Sequence, residues 1–549
     1  MKAAWFWSGV GALLCAMGAV EFFTARNESQ TWDESNQLLS GYVYLITGRF
    51  TVALEQPPLA KLLWAVPVAL LRPDPPPAVI RAEDPWPAGL RFLYHNRVPA
   101  DAMLMAGRSC AIAISVVLGV AVAFFAKRYF GAVVALAAVF LYAADPNFLA
   151  HGRYMKNDVA AALTIFGAVM IWGDYLARPA RSRLWISGAA LGLALATKDS
   201  ALVLLPVMLI LYAIREWQQR RPLAIALCVR RFAIAGLAAF LVIFIVYGFE
   251  LRPVGQSGVF RRFFPAAGAL AQVPVPALGY FTGLGTIWLK QTVGGLESGY
   301  VLGEPALFGR WYTSPVALAV KTPLADLILF ALAAALAAMR LRSANLRGLN
   351  FRWYLFLVPP AIYAAVSLFT SFNAGIRHLL PLYPFLFVAA IAIVLRPPVR
   401  RWRAASVLAV SALLLIETAG IYPHYLAFFN ALAGGPVGGR RVLVDSNLDW
   451  GQDVKNLKAW LREHAIDEVA ISYYGMADLA YYGIHAIDLP QVPDVSSAQK
   501  LDCVAAISAT NLALHRRRYA GLEALQPSAR IGYSIYVYDL RKHGARGGQ

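Results

Sequence analysis

The chain has 549 residues, of which 59% are hydrophobic and only 15% charged, and its mean hydropathy is +0.55. That balance excludes an ordinary soluble globular protein. The net charge of +19 is not that of a nucleic-acid binder, because no basic soluble domain with interleaved aromatics carries it. Apolar runs of about 20 residues recur instead, each long enough to cross a ~30 Å hydrocarbon core. Eleven spans are predicted, near 3–23, 106–126, 129–148, 158–177, 184–197, 201–214, 232–249, 315–339, 353–371, 379–395 and 404–421. With the N-terminus inside, five connections fall in the cytoplasm, and they hold 18 Lys and Arg against one acid, Glu216. The positive-inside rule sets this orientation, and much of the net charge is therefore topological.

The first span runs straight into a polar passage, so it reads as an uncleaved helix rather than a signal peptide. Cys15, Cys110 and Cys228 lie in or beside spans and only Cys503 lies in the tail. No disulfide framework or cysteine metal site is expected.

The first outer segment, 24–105, opens with Thr31-Trp32-Asp33-Glu34-Ser35 and continues to Glu55-Gln56-Pro57-Pro58-Leu59-Ala60-Lys61. Stretches 34–48 and 58–71 are predicted to be amphipathic helices lying along the membrane surface. Asp145, His151, Arg153, Lys156 and Asp158 cluster where the third span turns into the fourth, and Lys198-Asp199 occupy the next such turn. The outer segment 250–314, rich in Gly, Pro and aromatics, has the composition of a mobile lid. Arg310, Lys321, Arg377 and His378 lie at the outer ends of the eighth and tenth spans. The tail reads as a small α/β domain over 422–549, set against a membrane module over 1–421. Its predicted strands are RRVLVDSN, VAISYYG, LDCVAAIS and GYSIYVYDL, with a helix running from Asp449 to about 464.

A charge in hydrocarbon costs about 2.5–3.5 kcal/mol even on the lenient insertion scale. Charges at four separate turns on one face therefore imply one shared polar cavity at the outer leaflet. Carboxylates there can take a proton from a hydroxyl, while Lys and Arg can hold a phosphate as it leaves. No Asp-x-Asp metal-diphosphate motif, Walker loop or helix-opening GxGxxG is present. Soluble nucleotide chemistry is disfavoured on that account, and an activated sugar outside the cell would have to arrive on a lipid.

TWDES, EQPPLAKLL, GRYMKNDVAAAL and ATKDS, with WYTSPVALAVKTPL, NAGIRHLLPLYPF and HYLAFFNALAGGP followed by DSNLDWGQDVKNLKAWL, resemble the protein O-mannosyltransferase and aminoarabinose transferase superfamily. The resemblance covers roughly residues 5–465. It implies a GT-C fold in a bacterial cytoplasmic membrane, with a polyprenyl-phosphate sugar as donor. Among the residues, it implies Asp33 as catalytic base, Asp158 as the second acidic motif, and Lys198 beside the donor phosphate. Glu34 is a further catalytic candidate, and Arg153, Lys61 and Arg310 are further phosphate ligands. Glu55, Gln56, Arg377 and His378 are supporting residues; Gln56 departs from the family's usual His-Pro-Pro or Glu-Lys-Pro element. Asp445 and Asp449 are candidates on the acceptor side. No cofactor follows from the sequence, although a divalent metal is compatible with it. The acceptor is open among protein, lipid and polysaccharide.

Plainer readings stand beside these. Asp33 and Asp158 could cap helices, Lys61 and Lys198 could snorkel to headgroups, and Asp445 and Asp449 could be turn chemistry. A flippase would place its charges at the midplane and show internal symmetry. A scaffold with a binding tail would have no need for acids in the cavity.

Overall fold

In a computed structural model the described residues are 3–76, 85–293, 299–306, 310–341, 346–370, 375–397 and 400–541. The chain forms a helical bundle from α1 (Ala3–Arg26), α2 (Glu34–Thr47), α3 (Leu59–Leu70), α4 (Pro85–Tyr94), α5 (Ala100–Phe130), α6 (Ala132–Ala144), α7 (Pro146–His151), α8 (Asn157–Ala177), α9 (Arg181–Thr197), α10 (Leu204–Gln218), α11 (Ile225–Val246), α12 (Gly258–Phe263), α13 (Leu278–Val293), α14 (Thr313–Lys321), α15 (Leu324–Leu341), α16 (Arg352–Ser367), α17 (Tyr383–Val394) and α18 (Arg401–Gly420). Every predicted span falls on one or more of these helices. Seven helices are long and apolar enough to cross a membrane, among the described residues. The others are shorter, such as α6, or broken.

The eighth span is the broken one. Thr313–Lys321 and Leu324–Arg340 meet at 110°, where an unbroken helix was expected over 315–339. Pro323 supplies no N–H and cannot continue a helix. The second half starts afresh, its first N–H groups Leu324 and Ala325 donating to the Glu417 carboxylate at 2.9 and 3.0 Å. A carboxylate at a helix N-terminus satisfies both the orphan donors and the dipole.

Small residues set a close helix contact. A Cβ added at Gly188 or Gly192 of α9 would run into the backbone of Ala235 or Ala239 on α11. Small residues four apart let two backbones approach in this way inside a membrane. The expected surface helix α2 is instead mostly buried. It packs on α3 so tightly that a Cβ at Gly41 would collide with the Lys61 carbonyl.

The loop expected as a lid carries a short pairing of β1 (Leu251–Pro253) with β2 (Pro274–Pro276), then helix α13, then a pairing of β3 (Gly299–Val301) with β4 (Glu304–Ala306). The tail holds β5 (Glu468–Ser472), β6 (His485–Asp488), β7 (Val504–Ser508), β8 (Ala529–Ile531) and β9 (Ile535–Asp539), in the sheet order β6-β5-β7-β9-β8. Strands β6, β5 and β7 run parallel, and β9 is antiparallel to both its neighbours. RRVLVDSN is not a strand. Asp445 sits at φ +57°, and Asp445–Asn447 form a 3-10 turn that ends any extended run. The helix predicted after it begins at Val454, with Asp453 at its N-cap position.

Candidate active site

The polar residues converge at one end of the bundle. Asp33 occupies the N-cap position of α2, yet its side chain makes no capping hydrogen bond. Its Oδ2 instead lies 2.7 Å from Lys156 Nζ and 3.4 Å from Arg377 Nη1. Burial alone would raise the Asp33 carboxyl, but the Lys156 and Arg377 charges outweigh it and hold the pKa below the ordinary value. The Arg377 guanidinium stands 4.5 Å over the ring of Trp450 in the tail. One turn away, Asp158 in the first turn of α8 pairs with Lys198, which follows α9.

Lys198 and His378 line a cavity of about 510 Å³ together with Gln56, Asp199 and Ser314. The rest of its wall is largely apolar and comes from α13 (Leu284, Ile287, Trp288), Leu202, Val203 and Tyr363. The Gln56 Oε1 is buried there without a hydrogen-bond partner among the described residues.

Other predicted residues are engaged elsewhere. Glu34 forms a bidentate pair with Arg108, Oε1 to Nε at 2.8 Å and Oε2 to Nη2 at 2.6 Å. It also accepts from the Thr31 and Met155 N–H groups at 2.9 and 3.3 Å. Arg108 spends its remaining donors on the carbonyls of Ala25, Glu28 and Ser29. Arg153 is likewise bidentate to Glu28, at 2.9 and 2.6 Å. These two fully buried pairs clamp the 27–34 loop onto α5 and the α7–α8 turn.

Lys61 is buried and donates to the Ala53 carbonyl at 2.6 Å. Burial first, then repulsion from Lys156, bring its pKa down to about 7. Glu55 pairs with Lys290 at 2.8 Å, with both side chains about half exposed. Arg310 is half-buried, donates to the Tyr312 hydroxyl at 2.9 Å and stands 3.6 Å from Glu304. Asp445 accepts from the Tyr474 hydroxyl at 3.0 Å, and Asp449 from the Thr510 N–H at 3.0 Å. Burial pushes Asp449 up to about 8.

The tail segment that carries these acids is the backing of the Asp33 loop. The Ser29 and Trp32 N–H groups donate to the Gln452 and Trp450 carbonyls, each at 2.9 Å. The Trp32 ring stacks on Tyr474, with centroids 4.9 Å apart. Lys321, at the bend between α14 and α15, donates to the carbonyls of Leu426, Phe428 and Asn447 at 3.0, 2.5 and 2.7 Å.

The cation at Asp33 is Lys156, not the predicted Arg153 three residues earlier. The available signal was its position two residues before Asp158. Trp450 carries no sequence signal that separates it from core aromatics. Among the described residues, no three of His, Cys, Asp and Glu stand close enough to hold a metal ion.

Residues 101–247 match the family model described as Dolichyl-phosphate-mannose-protein mannosyltransferase. This segment carries Arg153, Lys156, Asp158 and Lys198. Over that segment the chain resembles the GT-C glycosyltransferases. The superfamily resemblance read from its sequence is borne out. Among solved structures, ArnT from Cupriavidus metallidurans bound to undecaprenyl phosphate is 13% identical, with 98% of each chain covered and a TM-score of 0.47. The apo oligosaccharyltransferase of Archaeoglobus fulgidus is 11% identical over 93% of this chain and 72% of that one, with a TM-score of 0.49. The oligosaccharyltransferase AglB of the same organism, in complex with an inhibitory peptide and a dolichol-phosphate, is 10% identical over 99% and 77%, with a TM-score of 0.45. No curated protein matches the chain.

Proposed function

We infer that this GT-C glycosyltransferase transfers a sugar, with inversion, from a polyprenyl-phosphate carrier to a hydroxyl acceptor, with Asp33 as the general base. One observation carries the reading. A half-buried carboxylate that caps no helix is held by Lys156 and Arg377, and the residue after Arg377, His378, lines with Lys198 a cavity whose wall is largely apolar. A lipid phosphate needs that combination: a cationic end for the head and an apolar wall for the first isoprene units. The family description, which names a lipid-phosphate sugar, agrees with it.

The acceptor oxygen attacks the anomeric carbon as its proton passes to Asp33. The bond from that carbon to the phosphate oxygen breaks, and the phosphate leaves with the electron pair. Lys198 stabilises the departing charge in this scheme, and its pairing with Asp158 supports that role. Phosphate is already a good leaving group, so the scheme requires no general acid. Glu34 and Arg153 act as clamps of the Asp33 loop rather than at the reacting atoms. Asp445 and Asp449 build the backing of that loop, and the 422–549 tail serves as its support. Lys61, Glu55 and Arg310 remain candidates for the rim.

The site end of the bundle would face outward from a bacterial cytoplasmic membrane, with the N-terminus inside. Protein incubated with polyprenyl-phosphate sugars and acceptor should release free carrier phosphate. Asp33→Asn should lower that rate by about 10²–10⁴ with thermal stability retained. Full activity in the folded Asn variant would remove Asp33 from the mechanism.

A further inference from the structure

A second cavity, of about 550 Å³, opens at the opposite end of the bundle. Helix lengths place it there. On α5, Arg108 clamps the Asp33 loop, while Arg128 lines this cavity five to six turns later, ~30 Å along the axis. Similarly, α8 runs from Asp158 at the site end to Gly173 and Ala177 in this cavity.

Four arginines line it: Arg128, Arg215 on α10, Arg347 before α16, and Arg352 at the start of α16. No carboxylate lines it among the described residues, and Asp174 reaches Arg128 from the edge at 2.7 Å. Aromatic faces and backbone carbonyls fix the guanidiniums. Arg215 stands 5.2 Å over Phe351, Arg347 5.0 Å over Trp217, and Arg352 5.0 Å over Phe130. Arg215 also donates to the Leu176 carbonyl at 3.3 Å, and Arg352 to that of Tyr129 at 2.8 Å. The Arg352 Nε–H is buried and has no hydrogen-bond acceptor among the described residues.

Like charges gathered in this way repel unless an anion joins them. Planar guanidiniums held in place are suited to phosphate oxygens, which they bind bidentately. The cavity lies at the end of the spans, at headgroup depth, where basic pockets between membrane helices meet lipid phosphate. Gly173, Ala177 and Leu355 add an apolar patch for the glycerol end.

We propose that this cavity binds the phosphate headgroup of an anionic phospholipid in the leaflet opposite the catalytic cavity. The site is independent of the transfer chemistry.

Full-length protein would be titrated with phosphatidylglycerol or cardiolipin, with phosphatidylcholine, and separately with inorganic phosphate, reading native mass spectra and thermal melting. Wild type should retain the anionic lipids through detergent exchange and melt higher with them. The Arg215→Gln/Arg347→Gln protein should bind them at least tenfold more weakly. The Arg400→Gln/Arg401→Gln protein, altered in a different basic loop at the same end, should bind like wild type. Ala177→Trp fills the cavity and leaves every charge in place, so it should lose the lipid as well; it decides the matter if the arginine variant does not fold. Equal loss in the Arg400/Arg401 control would overturn the proposal in favour of diffuse surface charge. A response to inorganic phosphate with none to lipid would overturn it in favour of a soluble anion.

Discussion

At the scale of single residues, Asp33 and Lys61 are perturbed in different ways. Asp33 stays ionised because two cations outweigh its burial. Arg377→Gln removes one of them and should raise the Asp33 pKa, so the acid limb of the pH–rate profile should move to higher pH. A limb that does not move would argue against Asp33 as the titrating base. Lys61 in the folded protein loses its proton at about 7, whereas an unfolded lysine keeps it to ~10.4. Between those values the unfolded state binds the extra proton, so stability rises with pH, by at most ~1.4 kcal/mol per pH unit. Melting curves from pH 7 to 9 should show that slope, and Lys61→Met should flatten it. Asp33 was legible in the sequence because carboxylates at a bilayer edge are costly. The choice between Arg153 and Lys156 was not legible. Both are cations on one turn, and only the tertiary pairing of Arg153 with Glu28, 125 residues earlier in the chain, decides which is left to face Asp33.

At the scale of elements, the 27–34 loop is held by charge pairs that are entirely buried. Removing one partner leaves a bare charge in the interior, which costs about 3–5 kcal/mol. Glu34→Gln should therefore lower thermal stability well beyond Asp33→Asn, although the two residues are neighbours. Equal effects would mean that the Arg108 pair is not what holds the loop. The spans were legible from apolar run length, whereas the close approach of α9 to α11 at Gly188 and Gly192 emerges only in the structure. The break at Pro323 was obscured by the apolar runs 315–320 and 327–338 on either side of it. RRVLVDSN misled because its alternating Val and Leu mimic a strand. Val444 and Leu443 are indeed buried, but the backbone between them and Asn447 turns to meet Lys321 and Thr510 rather than a neighbouring strand.

At the scale of the whole molecule, the basic loops and the Asp33 site lie at opposite ends of the bundle, and the distribution of Lys and Arg predicts which end is outside. In a background with the four native cysteines replaced, Ser496→Cys should react with an impermeant maleimide on intact cells, and Gln219→Cys only after lysis. The reverse pattern would invert the orientation. The Asp33 loop is also finished from the far end of the sequence. Ser29 donates to the Gly451 carbonyl across 422 residues, and Val454 donates back to Ser29. During synthesis, then, the Asp33 loop leaves the translocon long before its other half exists. Every long apolar helix precedes residue 450 in the chain. A ribosome that stalls, or a protease that trims the tail, leaves the Asp33 loop without that backing.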